Sequence, residues 1–276
     1  MKYGFVLPGG DLESILSLTV QAERSGWDGI FYWDGIYIEQ VPLMYDAWTV
    51  LAAMALKTKR IRIGAMLTAL NRRRPWKVAR ESTTVDHLSN GRLIIPVGLG
   101  AMEDGGYSMV GEPQDRRVRA ELLDESLEIL TGLWSGRPFS YRGKHYKMDE
   151  MTFRPTPVQK PRIPIWVVGA WPRMKSMRRA LSYDGLIPTK KLPDGSFADM
   201  TPDDIRKINL FILENRKKRS KFEIIYEGQT PLGRQKSGVE TVNRWAEAGV
   251  TWWIESRWSK PNEVLPRIKQ GPPESA

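Results

Sequence analysis

The chain has 276 residues, is 41% hydrophobic, and carries 42 Lys and Arg against 32 Asp and Glu, a formal charge of +10. That length suits a single α/β barrel of about 250 residues, here taken as one domain over 1–276. The absence of cysteine excludes disulfides, thiolate catalysis and cysteine-ligated metals. No apolar run approaches the ~20 residues of a membrane-spanning helix, and no signal or transit peptide precedes the first strand, so the expectation is a cytoplasmic protein away from membranes. The basic residues are scattered over helix faces and no nucleic-acid module is present, which favours anionic small ligands over nucleic acid.

Strand-like and helix-like segments alternate from the N-terminus, as in a parallel sheet with crossover helices. Strands are predicted at 2–7, 28–33, 60–66, 92–97, 163–168, 184–188, 222–227 and 250–255. Helices are predicted near 11–25, 44–57, 75–88, 114–134, 172–182, 202–218 and 237–248, with Asp11 and Thr201 as N-caps and Gly26 and Gly249 as C-terminal glycines. Eight such strands predict closure into a (β/α)8 TIM barrel. The aromatic segment 136–153, turning at Arg142-Gly143, reads as a β-hairpin inserted before the fifth strand, and the tail QGPPESA is expected to fray.

In such a barrel the active site lies at the C-terminal strand ends. Three of these ends deliver small residues: Ala65-Met66-Leu67, Gly98-Leu99-Gly100 and Gly169-Ala170-Trp171. With Trp33 and Asp34 after the second strand, the rim is aromatic and apolar and suits a flat ring. The junction Gly169-Ala170-Trp171-Pro172 could present helix-start amides to a phosphate, assisted by Arg173 and by Thr189 and Lys190 after the next strand; packing alone could also require that glycine. Asp34 could polarise a substrate, or simply cap a helix or form an ion pair. Glu227 and Glu255 are read as partners of arginines. His87 and His145 read as packing or capping residues, and no metal-binding, GxSxG or Walker pattern occurs. Chemistry from a borrowed cofactor would fill that gap.

Four segments, AERSGWDGIFYWD at 22–34, the run 58–100 ending GRLIIPVGLG, LLDESLEILTGLWSGRPFSYRGKHY at 122–146, and RPTPVQKPRIPIWVVGAWP with YDGLIPTK at 154–172 and 183–190, together resemble the bacterial luciferase-like superfamily of flavin- or deazaflavin-dependent oxidoreductases. The resemblance is close over 1–190 and looser beyond. It implies a (β/α)8 barrel with an isoalloxazine-type ring over the strand ends. It also implies a non-proline cis peptide at Met66-Leu67 against one ring face, and a phosphate loop at Gly169, Ala170 and Trp171. The chain departs from many relatives in having Asp34-Gly35 where they carry Asp-His. It has Ala101 where deazaflavin sugar-phosphate dehydrogenases carry glutamate, and Leu99 where bacterial luciferase carries arginine.

The resulting expectation is a monooxygenase using reduced FMN and O2 on a small apolar or aromatic substrate. Asp34 and Trp33 would stand on the reacting side, and Met66, Leu67, Gly98, Leu99, Gly100, Gly169, Ala170, Trp171, Arg173, Thr189 and Lys190 would hold the cofactor. The alternatives are a coenzyme F420-dependent reductase or dehydrogenase, whose longer anionic tail Lys190 and Lys191 would suit, and a non-catalytic flavin-binding protein. A separate flavin reductase and a homodimer are the expected partners.

Overall fold

Eight apolar runs pair side by side in parallel, and the ring they form sets every other feature. The computed structural model describes residues 1–218, 220–233 and 235–273. In chain order the elements are β1 (Lys2–Val6), α1 (Leu12–Arg24), β2 (Gly29–Tyr32), α2 (Ala47–Lys57), β3 (Arg62–Ala65), β4 (Thr68–Ala69), α3 (Pro75–Leu88), β5 (Ile95–Gly98) and α4 (Arg116–Trp134). There follow β6 (Pro138–Arg142), β7 (Lys147–Thr152), β8 (Ile165–Trp171), α5 (Met174–Leu181), β9 (Gly185–Lys191), β10 (Phe197–Ala198), α6 (Pro202–Asn215), β11 (Glu223–Gly228), α7 (Gln235–Ala248), β12 (Trp252–Ser256) and α8 (Val264–Gln270).

The sheet runs β3-β2-β1-β12-β11-β9-β8-β5-β4. An isolated parallel bridge between Ile63 and Leu93 joins its ends, with the Ile94 amide donating to the Ile63 carbonyl at 2.9 Å. β6 and β7 form the predicted antiparallel hairpin outside the ring.

Side-chain alternation divides the core in two. Inside the ring, Val6, Phe31, Ile94, Trp166, Ile225, Trp252 and Ile254 pack together, with Met66 and Ile187 against them. Gly29 and Gly185 make room for these rings: a Cβ at Gly29 would lie 2.9 Å from Phe31, and one at Gly185 2.6 Å from Trp166. The outward faces pack under the helices in the larger cluster.

The predicted caps form. The Asp11 carboxylate accepts from the Ser14 amide, and Thr201 and Asp204 make a reciprocal capping box. Gly26 and Gly249 take positive φ after α1 and α7. The tail differs from expectation: Gly271, Pro272 and Pro273 are buried, because the Arg267 guanidinium donates to the Gly271 carbonyl at 2.5 Å and Pro272 lies beside Gly26. Residues 274–276 of that tail lie outside the described residues.

Candidate active site

The third strand breaks at the rim. β3 ends at Ala65, the Met66–Leu67 peptide is cis, and Thr68–Ala69 then re-enter the sheet beside Val97 and Gly98. The Met66 amide is anchored to the Tyr32 carbonyl at 2.6 Å. Leu67 folds over Gly98, where a Cβ would lie 2.9 Å from Leu67 Cδ2 and 3.1 Å from Val168 Cγ2. At Gly100, which has φ +76°, a side chain would collide with the Tyr107 hydroxyl. These two glycines therefore let Leu67 and Tyr107 close over the strand end. The Leu99 carbonyl is fixed between the Tyr107 hydroxyl at 2.6 Å and Arg119 Nη1 at 3.0 Å. Thr68 Oγ1, one residue past the cis peptide, is buried with no partner among the described residues, the kind of polar atom a bound ring edge satisfies.

The junction between β8 and α5 is built differently from the sequence expectation. Gly169 faces outward, and a Cβ there would meet Leu186 and, at 2.8 Å, Met177 Sδ. Packing thus requires the glycine. The Ala170 amide, expected on a phosphate, donates to Ser176 Oγ at 3.0 Å. Trp171 turns out to pack edge-on against Phe211 of α6, and the following Trp171–Pro172 peptide is cis. Arg173 is the N-cap of α5, exposed and making no side-chain capping bond. The first-turn amides at Met174 and Lys175 have no intrahelical acceptor and carry the positive end of the helix dipole. An anion here would be held by those amides and Arg173. Thr189 Oγ1 lies 3.4 Å from the Gly169 carbonyl. Lys190 points away, paired with Asp204 at 2.8 Å, and Lys191 donates to the Gly195 carbonyl with its ammonium over Phe197.

On the other side of the mouth, Asp34 makes a two-point ion pair with Arg73, Nε to Oδ2 at 2.8 Å and Nη2 to Oδ1 at 2.6 Å. Burial opposes the Arg73 charge, but hydrogen bonding and attraction from Asp34 outweigh it and hold the guanidinium pKa above its ordinary value. Arg72 binds the Asp34 carbonyl and the Asp104 carboxylate, which also accepts from the amides of Ile36, Tyr37 and Gly106. Asp104 thereby ties together the loops after β2 and β5. Trp33 donates to the Pro8 carbonyl and meets Trp258 edge-on at 6.2 Å. The histidines are remote: His87 bonds the Thr156 carbonyl, and His145 bonds Glu121 rather than packing on Tyr146, which meets Trp76.

The description "Luciferase-like monooxygenase" fits a family model that matches residues 3–227. The chain belongs to the luciferase-like monooxygenase family. An uncharacterised protein of Mycobacterium tuberculosis is 30% identical over 206 residues, 75% of this chain and 67% of its own length. The oxygenase component of flavin-dependent trigonelline monooxygenase from Acinetobacter baylyi is 28% identical over 161 residues, 58% of this chain and 44% of that protein, so this chain spans less than half of its length. Among solved structures, an F420-dependent secondary alcohol dehydrogenase in complex with an F420–acetone adduct superposes with TM-score 0.79 at 18% identity, covering 99% of this chain and 98% of that one. This luciferase-like protein is a flavin- or deazaflavin-dependent oxidoreductase.

In the luciferase-like barrel described here, the residues fit a ring cofactor. Met66, Leu67 and the orphaned Thr68 hydroxyl would line one ring face and edge, and the start of α5 with Arg173 would take its phosphate. Thr68, Ser176, Arg73 and Asp104 escape sequence reading. Thr68 could have been found as a polar residue beside the cis pair, but the partners of the other three lie far away in the chain or across a turn.

Proposed function

We propose that this protein is the oxygenating component of a monooxygenase that takes reduced FMN and O2 to a small apolar or aromatic substrate, with a separate flavin reductase supplying the reduced cofactor and with the chain acting in the cytoplasm as a homodimer. Bound reduced flavin supplies the electrons for O2 activation. The chain's residues hold the ring at Met66–Leu67, bind one phosphate group at α5 and surround the reacting face with indole and aliphatic side chains that keep water out. The observation that carries the choice of FMN over F420 is the engagement of Lys190 by Asp204 and of Lys191 by Gly195 and Phe197. Neither lysine is free for a long polyanionic tail, whereas Arg173 and the α5 amides suffice for one phosphate.

Mass and visible absorption of the cofactor released from natively purified protein test this reading. Recovery of FMN, or binding of added reduced FMN with O2 uptake when a flavin reductase is supplied, is expected. Retention of F420 with no O2 uptake overturns it in favour of the deazaflavin reading. FMN binding without any O2 uptake in the presence of a substrate panel favours a non-catalytic flavin-binding protein.

A further inference from the structure

Three carboxylates stand at the ends of barrel strands, and arginines neutralise two of them. Asp34 holds Arg73, and Glu255 holds Arg257 at 3.0 Å and Arg267 at 3.5 Å. Among the described residues Glu227 takes neutral donors only, from Trp258 Nε1 at 2.6 Å and from the Ser256 hydroxyl. No arginine among the described residues partners Glu227, where the sequence led to the expectation of one. Two positions before it, Ile225 faces the barrel interior, and strand alternation turns Glu227 the same way. Around the ring β11 lies four strands from β3 in either direction, so Glu227 faces the Met66–Leu67 peptide across the mouth. Its hydrogen-bond partner Trp258 is the indole that meets Trp33.

Resting on the ring-cofactor reading above, we infer that Glu227 is the substrate-facing hydrogen-bonding group of this site: protonated, it donates to the carbonyl or hydroxyl oxygen of a neutral apolar substrate, and ionised, it rejects substrates bearing a carboxylate or phosphate at that point.

The carboxyl has two oxygens for two tasks. Oε1 accepts from Trp258, and the other oxygen, when protonated, donates to the substrate oxygen. Glu227 is exposed at the mouth, yet the loss of hydration beside the barrel wall pushes its pKa above the ordinary glutamate value, and the hydrogen bonds from Trp258 and Ser256 only partly offset this. Among the described residues, the cations of the adjoining strand ends are committed elsewhere. Lys190 and Lys191 of β9 are engaged as described, and Arg257 of the β12 end serves Glu255 and the Thr230 carbonyl. The neighbouring Tyr226 phenol is held neutral by burial, which pushes its pKa up to about 12, with Asp199 and Glu227 itself adding to the shift. After β2, Trp33 brings an uncharged indole against Trp258, and the charged Asp34 beside it is paired with Arg73.

The test uses protein loaded with FMN, or with F420 if that is the cofactor it retains. Cyclohexanone, cyclohexanol and cyclohexanecarboxylate serve as probes, and their dissociation constants are read from perturbation of the cofactor's visible spectrum. In the wild type, affinity for the ketone and the alcohol should fall by at least about fivefold as the pH is raised through the range in which the carboxyl ionises, a range lying above that of an ordinary glutamate. Glu227→Gln keeps an acceptor for Trp258 and a fixed N–H donor. It should bind the ketone independently of pH and gain about tenfold in carboxylate affinity above the wild-type ketone midpoint, where the wild-type carboxyl is ionised. Trp258→Phe removes a donor that favours the ionised form and should move the ketone midpoint to higher pH. A flat wild-type profile, an unaltered pH dependence in Glu227→Gln, or unchanged rejection of the carboxylate overturns the inference. Failure of every neutral probe with the cofactor bound overturns this inference alone, whereas failure to bind either cofactor overturns the proposed function.

Discussion

Arg73 stands between two carboxylates, Asp34 at 2.6 Å and Asp46 at 3.6 Å, and the first of these is almost completely shielded from water. An ion pair so placed resists the loss of one partner, because the other is then left charged and poorly solvated. Asp34→Asn is expected to lower stability by roughly 1–3 kcal/mol, less than for a fully buried pair because Arg73 keeps some solvent contact. Urea unfolding measures this. An unchanged midpoint combined with lost turnover would return Asp34 to the chemistry. The sequence left this choice open because Arg73 lies 39 residues away, and no local rule pairs them. Asp104 acts similarly on two loops. Burial opposes its charge, but the Tyr37 and Gly106 amides and Arg72 hold its pKa below the ordinary aspartate value. A depressed folded pKa means that its stabilisation is full above the unfolded value, and is lost as pH falls below about 4 through the folded one. At neutral pH, Asp104→Asn should speed hydrogen exchange at the Ile36 and Tyr37 amides by roughly 10- to 100-fold, with smaller changes in the barrel strands.

Helix α5 lies against β8 at van der Waals distance because residue 169 has no side chain. A valine there would have to displace Leu186 and Met177, both buried in the core, and overpacking of this kind costs about 1–3 kcal/mol. Gly169→Val is therefore expected to lower the unfolding midpoint as well as cofactor affinity, which thermal melts with and without FMN would resolve. A cofactor effect with an unchanged melt would restore a purely ligand-facing role for the glycine. Thr201→Ala, by contrast, should cost about 1 kcal/mol through loss of the α6 cap, and should also free Asp204 to rearrange around Lys190. At this scale the sequence was readable where periodicity is long. The eight strand runs, the seven longer helices and the 138–152 hairpin lie within a few residues of their predicted bounds. The elements that escaped it are short. β4 and β10 have two residues each and α8 has seven with an internal proline, too few to establish a period.

Closure of the barrel depends on residues that no motif marks. α8 returns the chain to its beginning: the Ile268 carbonyl accepts from Trp27 Nε1 at 2.9 Å, across 241 residues, and the Arg267 guanidinium lies 4.9 Å from the same indole. Arg267 also reaches Thr230 Oγ1 at 3.0 Å and the fully buried Glu255, joining α8, the segment after β11 and the last strand around one carboxylate. Glu255 is a buried charge sustained by two arginines and by donors from Thr230 and Trp253. Removing one arginine leaves it undercompensated. Arg267→Met, which keeps the length of the stem over Trp27 but removes the charge, is expected to destabilise the protein by roughly 2–4 kcal/mol. If the uncompensated carboxylate is the cause, adding Glu255→Gln should recover part of the loss, so that the double variant is less destabilised than the sum of the two single ones. Strict additivity in urea unfolding would instead assign the role of Arg267 to its packing on Trp27 and its hydrogen bond to Gly271.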